Sequence, residues 1–107
     1  MSNTHMTLME FYKTHNKLNP GEVILDVRRP DEFAEGHIPG AINIPVDQVS
    51  GQLDKLKSFK SIYIHCKRGG RAKTAFDLLS GAGLSNLICV HDAGMDAWIE
   101  NGFPVER

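Results

Sequence analysis

The sequence lacks what would tie it to a membrane, a nucleic acid or an oxidising compartment. It has no apolar run long enough to cross a bilayer. Its start, Met1-Ser2-Asn3-Thr4-His5-Met6, has neither the basic residues nor the apolar core of a secretory signal. Charge of neither sign is in excess: 12 Lys and Arg stand against 13 Asp and Glu, which argues against non-specific binding to nucleic acid or anionic lipid. The two cysteines, Cys66 and Cys89, are too few for a disulfide framework. These absences predict a cytoplasmic protein with reduced thiols and no nucleic-acid or membrane partner. No repeat, linker or low-complexity stretch divides the 107 residues, so one domain over 1–107 is expected, large enough to bury a core without staples.

What is present is an alternation of short apolar runs with amphipathic stripes. Thr7 and Glu10 stand at capping-box spacing before Leu8, Phe11, Tyr12 and Leu18, predicting a helix from Leu8 to about Lys17. Asn19-Pro20-Gly21 breaks the chain, and Val23 to Val27 suits a buried strand. Pro30 can start a short helical turn that Gly36 stops. Ala41 to Pro45 reads as a brief strand, and Val46, Val49, Leu53 and Leu56 as the apolar face of the next helix. Ser61–His65 and Leu87–Val90 are further buried strands, and Met95 to Glu100 is a last helix between Gly94 and Gly102. Strands that are apolar throughout, alternating with helices, predict an α/β domain whose mainly parallel sheet is covered on both faces.

Chemistry concentrates at Cys66-Lys67-Arg68-Gly69-Gly70-Arg71. Cys66 follows a strand at its carboxyl end, where ligands of open α/β sheets bind. Ala72, Ala75, Phe76 and Leu79 then recur at helical spacing, with Gly81 as a candidate C-cap. Gly69 and Gly70 allow the loop to curl until its N–H groups converge on one spot. The helix N-terminus and the cations Lys67, Arg68 and Arg71 add positive charge around the sulfur. Such surroundings favour the thiolate, the nucleophilic form, and point to covalent chemistry on a small anionic or electrophilic substrate. A buried structural thiol beside a solvated basic loop is the plainer account, and it suits Cys89, in its apolar strand, better than Cys66. Nucleotide binding is disfavoured, since neither GxGxxG nor the P-loop order is present.

Taken together, the motifs Leu25-Asp26-Val27-Arg28, Glu32-Phe33, Gly36-His37-Ile38-Pro39-Gly40-Ala41, Asn43-Ile44-Pro45, Cys66 with Gly69 and Arg71, Gly94, Ala97-Trp98 and Gly102-Phe103-Pro104 resemble the rhodanese family over about residues 22 to 105. The resemblance implies a three-layer α/β/α domain with a sheet of four or five short strands. It also implies a sulfurtransferase in which Cys66 accepts a sulfane sulfur from a donor such as thiosulfate as a persulfide and passes it to a thiol or cyanide, with a protein acceptor as a further possibility. Lys67 to Arg71 would cradle the persulfide, Arg71 would hold the loop and face an anionic donor, and Lys67 and Arg68 would set the local field. No cofactor or metal is implied. The chain departs from the family in having Ala72 where a hydroxyl residue is common, and Ala93-Gly94 where two glycines are common. Met1 to Met6 also offers little material for the edge strand with which the family often begins.

The remaining candidates read as structural. Asp26 and Arg28 are expected to hold one another or nearby backbone, His37 to fix its loop, His65 to face away from Cys66, and Trp98 to sit in the core. A metal site of Cys66, Cys89, His65 and His91 is disfavoured, because Cys89-x-His91 is not a zinc-pair spacing. Two other functions remain open. A non-turnover sulfur carrier or partner-binding module could use the same residues. A cysteine phosphatase or arsenate reductase is disfavoured, because four residues separate Cys66 from Arg71 where the phosphatases have five in a wider cradle.

Overall fold

Five short segments, the central ones apolar, pair into one sheet: β1 (Thr4–Met6), β2 (Glu22–Asp26), β3 (Ile42–Asn43), β4 (Ser61–His65) and β5 (Leu87–Val90). The computed structural model describes residues 3–107. Every strand pairing is parallel, in the order β1-β5-β4-β2-β3. The helices are α1 (Leu8–Thr14), α2 (Pro30–Glu35), α3 (Leu53–Lys57), α4 (Gly70–Gly81) and α5 (Met95–Glu100). None is long and apolar enough to cross a membrane among the described residues.

Side chains of a strand alternate between faces, so a run that is apolar throughout must be covered twice. One face carries Val23, Leu25, Ile62, Ile64, Leu87 and Cys89, packed under Ala72, Ala75, Phe76 and Leu79 of α4 and under Val49 and Leu56. The other carries Ile24, Tyr63 and Val90 against Leu8 and Phe11 of α1 and Met95 and Trp98 of α5. The result is the three-layer α/β/α arrangement expected. β4 lies between β2 and β5, all five of its residues are buried, and its carboxyl end opens directly into the Cys66 loop.

Local signals act where they were read. Thr7 Oγ1 accepts the Glu10 N–H at 3.1 Å and the Glu10 carboxylate accepts the Thr7 N–H at 2.9 Å, closing the capping box. Helix α1 stops at Thr14, short of Lys17, because the His15 ring engages the Tyr12 carbonyl that the next helical turn would use.

Three other expectations need correction, and the edge strand left open by the sequence is present. An edge strand does form at the start: Thr4, His5 and Met6 pair with Ile88, Cys89 and Val90. Asn3 fastens it, its amide donating to the Leu84 carbonyl and its side-chain oxygen accepting the Leu87 N–H, so the neighbouring strand templates a segment with little strand propensity of its own. The helix expected after Pro45 is a 3-10 stretch over Val46–Gln52 that becomes α-helical only in α3. Val46 and Val49, three residues apart, match the tighter 3-10 repeat. The brief strand over Ala41 to Pro45 is reduced to Ile42–Asn43, and beyond it the Ile44 and Val46 N–H groups still reach the Asp26 and Val27 carbonyls. Finally α4 runs through Gly81, and it is Gly83, at φ +98°, that takes the left-handed turn after it.

Candidate active site

Cys66 continues the alternation of Ile62 and Ile64, so its side chain enters the face under α4, where 1% of the residue is exposed. There Sγ accepts the N–H of Gly69 at 3.1 Å and of Ala72 at 3.2 Å. Ala72, which has no hydroxyl, contacts the sulfur through its main-chain N–H alone. Two close approaches hold the curl. Gly69 has φ +113°, and a Cβ there would lie 2.1 Å from the His91 carbonyl oxygen. A Cβ on Gly94 would lie 2.2 Å from the Cys66 carbonyl oxygen, and that same carbonyl accepts the Met95 N–H at 2.8 Å while the Lys67 carbonyl accepts the Asp96 N–H at 3.2 Å. The single glycine of Ala93-Gly94 therefore stands where the backbones touch.

The cations of the loop have different fates. Arg71 meets Glu32 of α2 through two bonds, Nη1 to Oε1 at 2.6 Å and Nη2 to Oε2 at 3.1 Å. Glu32 Oε1 also accepts the Arg29 N–H at 3.0 Å. Hydrogen bonding from Arg71 is the main cause holding the Glu32 carboxyl at about 2, and Glu32 in turn raises Arg71. Arg68, on the surface, donates from Nε to Asp96 at 3.0 Å. Lys67 has no carboxylate within ion-pair distance among the described residues. The six residues Cys66 to Arg71 are thus brought together, but two of the three charges are balanced in place. Glu32 and Asp96 are the partners that sequence reasoning missed. Glu32 carried one local signal, its N3 spacing from Arg29, and no signal of its contact with Arg71 across 39 positions.

The structural candidates hold the surroundings. Asp26 is fully buried and receives Arg28 Nε and Nη2 at 2.8 to 3.0 Å, while Arg28 Nη2 also donates to the Gly36 carbonyl at 2.7 Å. The amide of Asn43 clamps the Asp26 and Arg28 carbonyls. His37 bonds the Phe33 carbonyl through Nδ1, as a loop-fixing residue should. His65 faces Phe11, away from Cys66, and burial lowers its pKa. Trp98 is fully buried and donates from Nε1 to the Pro104 carbonyl. Cys89 is fully buried among hydrocarbon, and that desolvation pushes its thiol up to about 12. Among the described residues, no three His, Cys, Asp or Glu side chains gather closely enough to hold a metal ion.

Beside the loop, between α2 and α5, opens a cleft of about 520 Å³ that touches Arg28, Glu32, Gly36, Lys67, Met95 and Ile99. Cys66 does not line it; the sulfur lies beneath the loop, one residue from Lys67.

Comparisons with known proteins bear on the family and the fold. The model of the rhodanese-like domain matches residues 9–101. Thiosulfate sulfurtransferase 16, chloroplastic, of Arabidopsis thaliana is 35% identical over 86% of this chain and 86% of its own length. The putative sulfur carrier protein YrkF of Bacillus subtilis is 36% identical over 70% of this chain, which spans 40% of that protein. Among solved structures, a rhodanese-related protein of Thermoplasma volcanium superposes with a TM-score of 0.81 at 31% identity, covering 96% of this chain and 97% of that one.

Proposed function

The chain belongs to the rhodanese-like domain family, and from that premise we propose that it is a sulfurtransferase that carries a sulfane sulfur on Cys66. The Cys66 thiolate attacks the outer sulfur of a donor such as thiosulfate. A bond forms between Sγ and that sulfur, the donor's S–S bond breaks, and sulfite leaves with the electron pair. A thiolate or cyanide then attacks the outer sulfur of the persulfide, and Cys66 leaves as thiolate, so no external oxidant or reductant is needed.

The observation that carries this reading is the pair of N–H groups, from Gly69 and Ala72, already aimed at Sγ at the end of the central strand. Donors of that kind hold the sulfur anion before and after transfer without reorganising. Lys67, Arg68, Gly69, Gly70 and Arg71 are the substrate-side residues: the glycines shape the cradle, Arg71 ties it to α2, and Lys67 offers a cation without a carboxylate partner. Four residues between Cys66 and Arg71 make a ring suited to one sulfur atom, whereas a phosphoryl group needs three oxygens bound at once. A phosphatase or arsenate reductase is therefore not favoured. Similarity to a putative sulfur carrier protein supports a second reading, in which the same persulfide forms but a partner enzyme performs the turnover.

Mass spectrometry after incubation with thiosulfate tests the first step. One added sulfur atom, lost on addition of cyanide, is expected. Cys66→Ala should abolish the gain and Cys89→Ala should leave it. Sulfur on Cys89 would overturn the site, and robust aryl-phosphate hydrolysis without a persulfide would overturn the function. Slow cyanide turnover with rapid loading would favour carriage.

A further inference from the structure

We propose that His5 and His91 form an exchangeable site for one zinc-type divalent metal ion, held by the two imidazoles and completed by water. The site is separate from the persulfide chemistry of Cys66 and does not depend on it.

The sheet brings the two rings together. His5 of β1 pairs with Cys89 of β5, and His91 follows Cys89 by two positions. Both side chains therefore leave the same face of neighbouring parallel strands, one step apart on the diagonal. Their ring centroids lie 4.7 Å apart, with the planes at 84°. Two imidazoles that each bind one metal through a nitrogen at about 2.0–2.1 Å have centroids roughly 4.5–5 Å apart, for bond angles between about 90° and the tetrahedral value. The observed spacing falls in that range. The last side-chain torsion of histidine is soft, so exposed rings turn a nitrogen toward a common point at little cost.

Availability separates this pair from the other three histidines. His15 and His37 spend Nδ1 on the carbonyls of Tyr12 and Phe33, and His65 is buried against Phe11 beside Asp26. His5 and His91 are exposed. Among the described residues, the rings that make a hydrogen bond or face a carboxylate are His15, His37 and His65 alone. The His5 ring packs on Phe76 of α4 at 4.8 Å, which places the ring while leaving its nitrogens unclaimed. No third His, Cys, Asp or Glu joins the pair among the described residues, and Asp92, next to His91, gives its Oδ1 to the Leu8 N–H at 3.0 Å. Two protein ligands and open positions describe an exchangeable ion, in contrast to the closed four-ligand shells of structural zinc. Imidazole is a borderline ligand, so the pair selects zinc, copper or nickel over magnesium or calcium.

The placement gives the ion something to do. β1 has little strand propensity of its own and is fastened at its start by Asn3. An ion shared by His5 and His91 fastens it a second time, to the chain just beyond β5. The His91 carbonyl is also the group against which Gly69 packs, so this fastening adjoins the turn of the Cys66 loop.

Zinc titration into the full-length ¹³C- and ¹⁵N-labelled protein, with its thiols reduced, tests the site. The ring signals of His5 and His91 should shift together and saturate at one equivalent, while magnesium leaves both unmoved. His5→Ala and His91→Ala should each weaken binding at least about tenfold, because one imidazole alone loses the advantage of chelation. Cys66→Ser should leave it within about twofold. Hydrogen exchange at the amides of His5 and Met6 should slow with zinc in the parent and not in His91→Ala. Absence of saturable shifts overturns the proposal, and so do rings that saturate at different zinc concentrations. Binding that survives both alanine variants and is lost in Cys66→Ser overturns it in favour of the thiol. Exchange unchanged at saturating zinc overturns the fastening of β1.

Discussion

The two cysteines lie on the same face of adjacent strands, and their surroundings could hardly differ more. Cys66 stands two residues beyond Ile64, the β4 residue that pairs with Cys89 of β5. Both are buried beneath α4. Around Cys66 the chain turns, and backbone N–H groups of Gly69 and Ala72 reach the sulfur. Around Cys89 the strand continues, its backbone groups are spent in the sheet, and hydrocarbon pushes the thiol up to about 12. Burial alone therefore does not set a thiol's chemistry. What decides it is whether the backbone nearby still has donors to give, and in a parallel sheet those occur past the strand ends and at helix N-termini.

Alkylation puts that contrast to the hardest test. In the folded protein at pH 8, iodoacetamide should modify Cys66 at least about a hundredfold faster than Cys89, because the thiolate is the reactive form and Cys89 is almost wholly protonated there. In denaturant the two rates should converge. Equal rates in the folded state would mean that the surroundings described do not govern reactivity.

Removing the room for the turn should come next in size. Gly94→Ala places a methyl group against the Cys66 carbonyl, and since the contact is with backbone, the loop must move. Sulfur loading from thiosulfate should fall about tenfold or more, with a stability loss of about 1–3 kcal/mol by denaturant titration. Normal loading in a folded Gly94→Ala protein would show that the cradle does not depend on this approach.

Arg71→Lys tests the tie between the loop and α2. An ammonium cannot reproduce the paired bonds to Glu32, so thiosulfate loading should slow several-fold while circular dichroism is unchanged. Glu32 also makes this tie pH-dependent. Its folded pKa, about 2, lies below its ordinary 4.5, so its contribution to stability is present above about pH 4.5 and is lost as pH falls toward 2. Glu32→Gln should flatten the acid limb of the stability curve in that window. An acid limb identical to that of the parent would remove Glu32 from it.

The smallest effect should come from Cys89→Ala. The loss of one buried sulfur from a core of this density costs about 1 kcal/mol, and loading at Cys66 should stay within about twofold. A larger drop in loading would mean that the second thiol takes part in the chemistry.

Much of this was legible residue by residue. The apolar runs around Val23, Ile62 and Leu87 marked the strands, since a run without polar interruption must be buried on both sides. Cys66, Gly69, Gly70 and the helix at Ala72 marked the cradle, because strand end, turn and helix start are all local events within a dozen positions. The capping box at Thr7 and the opening of α5 at Gly94 belong to the same class. Less legible were the 3-10 stretch at Val46–Gln52, whose apolar spacing fits two helix types, and β1, whose residues have little strand propensity.

The order of elements, the α/β class and the position of the loop thiol were thus settled by local pattern, which acts over spans of one or two turns. Tertiary structure alone decided that Glu32 would claim Arg71, that Asp96 would claim Arg68, that Lys67 would face a cleft unpaired, and that Thr4–Met6 would add an edge to β5. The two ion pairs join residues 39 and 28 positions apart, and the edge pairing joins the two ends of the sequence. A charge or an edge strand has no preferred distant partner written into its neighbours, and it acquires one only when the packed core brings the two surfaces together.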